Sequence, residues 1–432
     1  MNQLYSVYKQ SAGVSTDTRK IKPNDLFFAL KGPNFNGNLF AQKAIEAGAI
    51  AVVVDEAIDE VPADKTIIVE DALKALQDLA SHHRDQLNIP IIGITGSNGK
   101  TTTKELMHLA LGAKYKTFAT RGNLNNHIGV PLSLLAIDDS YEMAIIEMGA
   151  NHVGEIASYC QVAKPSHGLI TNIGKAHIGE FGGFENIIIG KSELYDHLKK
   201  NDGVPFINTN DAVLKNMMKR FDNAVSYPNE VDTFTAALLP SNLYLKVKVR
   251  DLEIDTHLFG QYNFNNVAAA LCVAEHFEVD LQKAADAVAS YQPDNMRSQL
   301  IETEDYSIIL DAYNANPDSM SLAIESLCSS AKGESVTILG DMLELGEMSA
   351  LEHEKIAEQA VDLGVSRRIY FGEQIQHAKE TDPFGMFFTN KEVLIKHLKA
   401  QPIKKGSTIL IKGSRKNALE ELVDVLSTTA KD

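Results

Sequence analysis

The sequence predicts an α/β protein of three domains, with a doubly wound, mostly parallel central sheet between a small N-terminal α/β domain and a C-terminal Rossmann-like α/β domain. Three observations support this prediction. The chain has 432 residues, a length typical of about two to four domains. Short strand-like runs alternate with helix-like segments. Polar stretches at residues 85–90 and 292–299 interrupt the alternation, so we expect domains at 1–85, 86–295 and 296–432.

In the first domain, apolar runs and amphipathic segments follow one another over short distances. They predict strands at 25–30, 50–54 and 66–69 and helices at 40–47 and 71–84.

The central domain is expected to begin with a buried parallel strand, because residues 91–95 read Ile-Ile-Gly-Ile-Thr and a strand covered on both faces is apolar throughout. Residues 243–250 differ, since apolar and polar side chains alternate there, as in a half-exposed antiparallel strand. The other expected elements are strands at 143–147, 168–173 and 204–208, helices at 263–277 and 281–291, and C-terminal strands at 306–310, 336–339, 368–371 and 408–411.

Composition and charge exclude several classes of protein. With 44% apolar and 23% charged residues the chain is globular rather than disordered. Its 41 basic and 57 acidic residues leave a formal charge of −16, which disfavours nucleic acid as a partner. We see neither a signal peptide nor an apolar run long enough to cross a membrane, and three widely spaced cysteines indicate buried side chains in a reducing compartment. We therefore expect a cytoplasmic monomer that binds small molecules.

A glycine-rich phosphate loop (P-loop) directly follows the strand at 91–95 and precedes a helical pattern. In such a loop the backbone N–H groups and the helix N-terminus face a phosphate, the lysine reaches the terminal phosphates, and the hydroxyl after it can hold Mg²⁺. The alternative is a glycine turn that only caps the helix. Ile94 stands where the common GTPase and ATPase loops have glycine. ATP and Mg²⁺ are the cofactors this loop predicts, through Gly96, Ser97, Asn98, Gly99, Lys100, Thr101 and Thr102.

Five motifs in order resemble those of the Mur ligase family, the ATP-dependent amide ligases of peptidoglycan precursor synthesis. The resemblance covers essentially the whole chain. The motifs are Thr95–Thr101, Gly122–Pro131, Glu147–Gly149, Asn172–His177 and Gly260–Asn266.

Within the family, three later segments are most similar to members that add D-alanyl-D-alanine to UDP-N-acetylmuramoyl-tripeptide: 311–317, 339–346 and 412–415. The resemblance implies that the γ-phosphate of ATP activates a carboxylate as an acyl phosphate, which the dipeptide amine then attacks. It also implies that the N-terminal domain binds the UDP-sugar through Ser15, Asp17 and Arg19.

Four residues are the expected catalytic set. Lys100 belongs to the loop, and Glu147 ends an apolar strand, where α/β sheets place their ligands, so Glu147 is a candidate Mg²⁺ ligand beside Thr101; it could instead cap a helix. The resemblance implies that His177 also binds Mg²⁺ and that Lys191 is carbamylated. Without it, His177 would be an exposed loop residue and Lys191 a solvated amine.

The remaining candidates are polar residues at helix starts and strand ends. Asn263 and Asn266, three apart on a helix, can offer amide groups to adenine or phosphate, although Asn263 could simply cap the helix. Arg297, in the second linker, could reach the γ-phosphate as the domains close, and Lys412 and Arg415, at the end of the last strand, could hold an acidic substrate group. The resemblance implies nucleotide contacts for Asp311, Asn314 and Asn316, although loop asparagines are otherwise usually turn formers. Asn125 and Asn126, in the second family motif, are expected to contact the substrate.

Two alternatives stay open at this point. One is another Mur ligase or a folylpolyglutamate-synthase-like ligase. The other is a nucleotide-dependent switch protein, in which ATP hydrolysis drives binding to a protein partner. The sequence does not distinguish lysine from diaminopimelate as the third residue of the acceptor peptide.

Overall fold

The computed structural model describes residues 1–241 and 243–428, which contain three α/β units in chain order. The first is built on a four-stranded parallel sheet of order β1–β2–β5–β6, with a small β3–β4 hairpin beside it. Its elements are β1 (Gly13–Ser15), β2 (Asp25–Phe28), β3 (Lys31–Gly32), β4 (Phe35–Asn36), β5 (Ala51–Val54), β6 (Thr66–Ile68), α1 (Asn2–Gln10), α2 (Ala41–Glu46) and α3 (Ala72–Arg84).

The central unit is a doubly wound sheet of six parallel strands, ordered β12–β11–β10–β7–β9–β8. The strands are β7 (Ile91–Thr95), β8 (Thr117–Ala119), β9 (Met143–Glu147), β10 (His167–Ile170), β11 (Val204–Asn208) and β12 (Val225–Tyr227). The helices are α4 (Lys100–Gly112), α5 (Gly129–Leu135), α6 (Glu155–Ala163), α7 (Ile178–Phe181), α8 (Phe184–Lys200), α9 (Ala212–Met217), α10 (Phe264–His276) and α11 (Leu281–Ala289).

A three-stranded antiparallel sheet completes this unit, with strands β13 (Ala236–Leu239), β14 (Tyr244–Val249) and β15 (Leu252–Phe259). The alternation over residues 243–250 predicted β14 correctly, since Leu245, Val247 and Val249 are buried and their neighbours face outward.

The C-terminal unit is a mixed six-stranded sheet of order β16–β17–β21–β18–β19–β20, in which only the β16–β17 pair is antiparallel. Its elements are β16 (Gln299–Glu302), β17 (Ser307–Asp311), β18 (Ser335–Gly340), β19 (Arg367–Phe371), β20 (Met386–Phe388), β21 (Thr408–Lys412), α12 (Pro317–Ser330), α13 (Ser349–Asp362), α14 (Lys391–Ala400) and α15 (Leu422–Thr428). The predicted fold class is confirmed in all three units.

Some predicted boundaries were wrong for local reasons. The strand expected over 168–173 ends at Ile170, because the next two side chains leave the sheet to bind the phosphate loop: Thr171 Oγ1 and Asn172 Nδ2 both donate to the Asn98 carbonyl, at 2.6 and 3.0 Å. The polar stretch at 292–299 already contains the first residue of β16, Gln299.

The first two units have one continuous apolar core. Leu76 and Leu79 of α3 belong to the same buried cluster as Val130 and Leu134 of α5. Polar contacts cross the same junction: Tyr8 donates to the Leu135 carbonyl at 2.9 Å, His83 Nε2 to Ile137 at 2.8 Å, and Arg84 to Ala163 at 3.0 Å. We keep 1–85, 86–295 and 296–432 as proposed domain limits in the chain, but the core does not divide at residue 85.

None of the helices in the described ranges is long and apolar enough to cross a membrane. Cys160 and Cys272 are buried and Cys328 is half-buried, all as free thiols, and burial raises the pKa of each.

His167, at the start of β10, makes the stability of the fold depend on pH. Its ring lies against Phe277 and His276, with centroids at 4.8 and 5.4 Å, and burial lowers its pKa from 6.5 to about 4. The native state therefore takes up this proton at a lower pH than the unfolded chain, so stability is lost as the pH falls from about 6.5 towards 4.

Between pH 7 and pH 5 this histidine alone should reduce the free energy of unfolding by about 2 kcal/mol. Denaturant unfolding at both pH values should show a smaller loss for His167→Phe than for the wild type. His152→Gln, at a largely exposed histidine, is the control and should behave like the wild type. Equal losses in all three proteins would contradict this account.

Candidate active site

The phosphate loop joins β7 to α4, and two of its positions require glycine. Gly96 and Gly99 have φ of +142° and +79°, which side-chain-bearing residues rarely adopt. A Cβ on Gly96 would lie 1.9 Å from Thr171 Oγ1, and one on Gly99 would lie 2.5 Å from Asn266 Oδ1. The loop therefore fits closely against the start of α10 and the segment after β10.

The segment after β10 also orients the loop. Ser97 N donates to the Asn172 carbonyl and Asn98 N to Asn172 Oδ1, both at 3.0 Å. Gly174 N donates to Ser97 Oγ at 2.8 Å. These bonds hold the loop in place without a ligand. Binding of an anion therefore costs little conformational entropy of the loop backbone.

Lys100, the first residue of α4, folds back over the loop. Its Nζ donates to the carbonyls of Gly96 at 2.7 Å and Ser97 at 3.2 Å. Burial lowers the pKa of this amine to about 8, Arg297 lowers it too, and Glu147 opposes the shift. The amine is thus placed at the centre of the loop, where a terminal phosphate would supply the missing counter-charge.

Glu147 lies at the carboxyl end of β9, beside the loop. Thr101 Oγ1 donates to its Oε1 at 3.2 Å and Asn125 Nδ2 donates to the same oxygen at 2.8 Å. Its Oε2 is buried and accepts no hydrogen bond from any residue of the described ranges. Glu147 therefore lies beside Thr101 as expected, Asn125 joins them, and Oε2 is left without a hydrogen bond from the described residues.

Lys191 is buried in the middle of α8, with 1% of its surface exposed. Its Nζ lies 5.4 Å from the centre of the Phe181 ring, and within residues 1–241 and 243–428 no hydrogen bond or ion pair reaches it. Burial lowers the pKa of this amine well below its ordinary value, and the charge of Lys100 lowers it further. The solvated amine that the helix pattern alone would suggest is wrong.

His177 faces the C-terminal unit. Its Nδ1 lies 2.5 Å from Glu344 Oε2 and 3.6 Å from Glu180 Oε2, and these three side chains could together hold a cation. The nearby His177 ring lowers the pKa of Glu344. No ion pair joins His177 to Glu147 in the part of the chain described, so the two lie in one cavity without direct contact.

Lys100, Glu147 and His177 line a single cavity of about 780 Å³ between the central and C-terminal units, whereas Lys191 is not among the lining residues. Three further contacts close it: Asn316 Nδ2 donates to Asn98 Oδ1 at 2.7 Å, Asp318 accepts from Lys175 N at 2.6 Å, and Gly179 N donates to the Glu344 carbonyl at 3.1 Å. The cavity walls include Ser97, Asn98, Gly99, Lys100, Thr101, Thr102, Asn125, Asn126, Glu147, His177, Asn263, Asn266, Arg297, Asp311, Asn314, Asn316 and Lys412.

Family models match each of the three units. The catalytic-domain model of the Mur ligase family matches residues 10–84, the Mur ligase middle domain matches 94–274, and the Mur ligase glutamate ligase domain matches 296–415. Together they cover most of the chain.

The chain belongs to the Mur ligase family.

Individual Mur ligases are similar over nearly the whole length. The UDP-N-acetylmuramoyl-tripeptide--D-alanyl-D-alanine ligase of Bacillus subtilis is 36% identical, over 96% of this chain and 93% of its own. A crystal structure of MurF from Acinetobacter baumannii matches with a TM-score of 0.86 at 29% identity, over 98% of each chain. MurF from Thermotoga maritima, solved in complex with ADP, matches with a TM-score of 0.85 at 26% identity, again over 98% of each chain.

In this Mur ligase the two predicted helix asparagines bind protein groups. Asn263 Nδ2 donates to the Phe259 carbonyl at 2.8 Å, and Asn266 Nδ2 donates to Asn263 Oδ1 at 2.8 Å. Thr103 Oγ1 donates to Asn266 Oδ1 at 3.0 Å. The Asn263 side chain does not cap α10. Both asparagines support the phosphate loop from behind, and their contact with the nucleotide stays a prediction.

The C-terminal wall combines a stacked arginine with a buried ion pair. The Arg297 guanidinium lies 3.8 Å from the centre of the Tyr313 ring. Lys412 Nζ lies 2.6 Å from Asp311 Oδ2 and donates to the Asn314 carbonyl at 3.2 Å. Lys412 is therefore paired with Asp311 in this structure, and its contact with an acidic substrate group stays a prediction.

Other predicted substrate residues lie at the edge of the cavity or outside it. Asn126 lines the cavity and accepts from Gly129 N at 2.9 Å at the start of α5. Arg415 is exposed and pairs with Glu420, outside the cavity, so it does not share this site with Lys412. In the N-terminal unit Arg19 NH2 bonds to Asp17 Oδ2 at 2.8 Å, and Ser15 Oγ donates to the Asp17 carbonyl at 3.1 Å.

Sequence reasoning missed several residues of the site. Glu344 and Tyr313 lie in segments that were recognised, but nothing local indicates that they meet His177 and Arg297. Lys104 did carry a signal, since it stands three residues after Thr101 on α4 and so shares its helix face.

Proposed function

We propose that the chain is an ATP-dependent, ADP-forming ligase that joins D-alanyl-D-alanine to UDP-N-acetylmuramoyl-tripeptide in peptidoglycan precursor synthesis. One observation carries the chemistry: the phosphate loop and Glu147, a carboxylate with one oxygen that accepts no hydrogen bond within the described residues, line one cavity. The buried Lys191 lies outside the lining but near enough to Lys100 for that charge to lower its pKa. The similarity to D-alanyl-D-alanine ligases over 96% of the chain supports the choice of substrate.

The loop and Lys100 bind the triphosphate. Backbone N–H groups of the loop and the N-terminus of α4 face the β- and γ-phosphates, and Lys100 contacts the γ-phosphate as its charge shifts during transfer. The Arg297 guanidinium, stacked on the Tyr313 ring, approaches the triphosphate from the side of the C-terminal unit. Asp311, Asn314 and Asn316 complete the nucleotide side of the cavity.

The residues present fit Mg²⁺, because the free Glu147 Oε2 is a buried oxygen ligand of the kind that hard cations prefer. Glu147 and Thr101 would hold the ion, and His177 would hold a second one. When bound, Mg²⁺ would neutralise part of the charge of the ATP phosphates and the acceptor carboxylate. Asn125, by donating to Oε1, fixes the orientation of the Glu147 carboxylate.

Lys191 is assigned as a carbamylated residue. A neutral amine attacks CO₂, a C–N bond forms, one proton leaves, and an anionic carbamate results. Burial lowers the pKa of this amine and so favours its neutral form, and the product is an anion beside Lys100. Such a group supplies an oxygen donor where an ammonium would repel a metal.

The acceptor carboxylate attacks the γ-phosphate, which forms the acyl phosphate and releases ADP. The dipeptide amine then displaces phosphate from the acyl phosphate and loses a proton as the amide bond forms. Closure by the C-terminal unit excludes water from this intermediate. We assign the UDP-sugar to the N-terminal unit with Ser15, Asp17 and Arg19. A monomeric state and a cytoplasmic location remain predictions from the sequence.

The alternatives differ in what triggers phosphate release. Another Mur ligase would use a shorter UDP-muramoyl acceptor with one amino acid, and a folylpolyglutamate-synthase-like ligase would use folate with glutamate. A nucleotide-dependent switch would respond to a protein partner instead.

Phosphate release with ATP and Mg²⁺ across these acceptor and nucleophile pairs tests the proposal. We expect the tripeptide acceptor with D-alanyl-D-alanine to give the highest kcat/KM. D-Alanine alone should be at least about tenfold poorer, because it lacks the contacts of the second residue. Faster turnover of a shorter acceptor with a single amino acid would keep the ligase class and reject the substrate assignment.

A further inference from the structure

Lys104 is a buried ammonium on α4 that the mechanism above does not use. Only 1% of its surface is exposed. A lysine this deep normally has a specific partner, because burying an unpaired charge is costly. It stands three positions after Thr101, so both side chains point from one face of α4 towards the end of β9.

Two short contacts hold the ammonium in place. Its Nζ donates to the Thr120 carbonyl at 2.6 Å and forms an ion pair with Glu105 Oε1 at 2.8 Å. Thr120 in turn accepts from the backbone N of Glu147 through its Oγ1 at 3.0 Å. Lys104 and Glu147 are therefore both bound to Thr120.

The third neighbour is the free oxygen of Glu147. Lys104 Nζ lies 3.9 Å from Glu147 Oε2, too far for a hydrogen bond but close enough for strong attraction between buried charges. Thr101 and Asn125 both use Oε1. Lys104 thus balances the charge of Glu147 while Oε2 accepts no hydrogen bond from any of the described residues.

We propose that Lys104 is a positioning residue that acts as the resident counter-ion of Glu147 and sets the affinity of the site for its metal ion. This inference rests on the metal assignment of the proposed function. Lys104 stabilises the buried carboxylate while no metal is bound, and its positive charge opposes the metal when one binds. Glu105 moderates the effect by sharing the charge of Lys104.

Two substitutions have opposite expected effects on metal affinity. Lys104→Met removes a positive charge about 4 Å from Oε2 and should tighten metal binding about tenfold, while it lowers the melting temperature of the metal-free protein. Glu105→Gln removes the negative charge that partly neutralises Lys104, so it should weaken metal binding several-fold. A purely structural lysine would give loss of stability without this reversal.

Metal affinity is measured on the full chain by electron paramagnetic resonance of free Mn²⁺, a stand-in for Mg²⁺. Thermal unfolding with and without Mg²⁺ is a second readout, in which Lys104→Met should gain more from Mg²⁺ than the wild type does. Lys114→Met, at a surface lysine beyond the end of α4, is the control and should match the wild type. In a Glu147→Gln background the effect of Lys104→Met on affinity should disappear.

Unchanged Mn²⁺ affinity in folded Glu105→Gln and Lys104→Met proteins would overturn the inference. If Lys104→Met does not fold, Glu105→Gln still tests the inference. An unchanged or increased Mn²⁺ affinity of Glu105→Gln would contradict the role of Lys104 as a counter-ion. If both Glu147→Gln and Thr101→Ala bind Mn²⁺ as tightly as the wild type, the metal site and this inference are rejected together. The ligase assignment would then stand or fall separately on phosphate release.

Discussion

Replacing Lys100 with methionine is expected to lower ATP-dependent ligation by about a thousandfold or more. The loop geometry depends on Gly96, Gly99 and the bonds from Asn172, so the backbone cradle should survive the substitution. The positive charge at its centre would be lost, and with it the stabilisation of charge on the transferring phosphoryl group. Phosphate release under saturating substrates measures the effect.

The matched control is Lys215→Met, at an exposed lysine of α9 in the same unit, which should keep wild-type turnover. Circular dichroism and thermal unfolding of Lys100→Met should resemble those of the wild type. A folded Lys100→Met enzyme with turnover within tenfold of normal would remove Lys100 from the catalytic set.

Replacing Lys191 with alanine is expected to lower turnover by about a hundredfold or more. The buried amine, whose pKa is lowered by burial, is suited to form a carbamate, and the variant cannot supply that anion. Short carboxylates such as acetate or formate should restore part of the activity, because they can place an oxygen anion in the space left by the side chain.

Carbon dioxide offers an independent test on the unmodified sequence. Wild-type enzyme depleted of CO₂ and bicarbonate should lose activity and regain it when bicarbonate is added. Lys200→Ala, at an exposed lysine on the last turn of α8, should show neither a loss of activity nor a response to carboxylates. Full wild-type activity without CO₂ would exclude the carbamate.

The site residues that could be predicted from the sequence are those whose position depends on a short, continuous segment of the chain. The phosphate loop and Glu147 follow buried apolar strands, and neighbouring parallel strands bring their carboxyl ends to one edge. Strands 91–95, 143–147 and 204–208 were predicted to the residue for the same reason. Strands of three residues, such as β8 and β12, are too short to show a period.

The unpredictable parts depend on distant segments meeting. Lys412 pairs with Asp311 because β21 adds to the sheet beside β17, with Asp311 opposite Lys412, and nothing local specifies that order of strands. Glu344 reaches His177 only because the C-terminal unit closes on the central one. Sequence patterns indicated which segments carry polar groups, whereas side-chain partners required the assembled fold.

The continuous core across residue 85 has a consequence for chimeric ligases. Helix α3 belongs to the N-terminal segment of the chain, yet its apolar face is covered by α5 and α6. A fusion made at residue 85 would join an α3 from one parent to an α5 and α6 from another, and their side chains would not match. A junction placed before α3 keeps α3, α5 and α6 from the same parent, so their side chains still match. Exchange of acceptor specificity between relatives should therefore succeed with a junction before α3 rather than at residue 85.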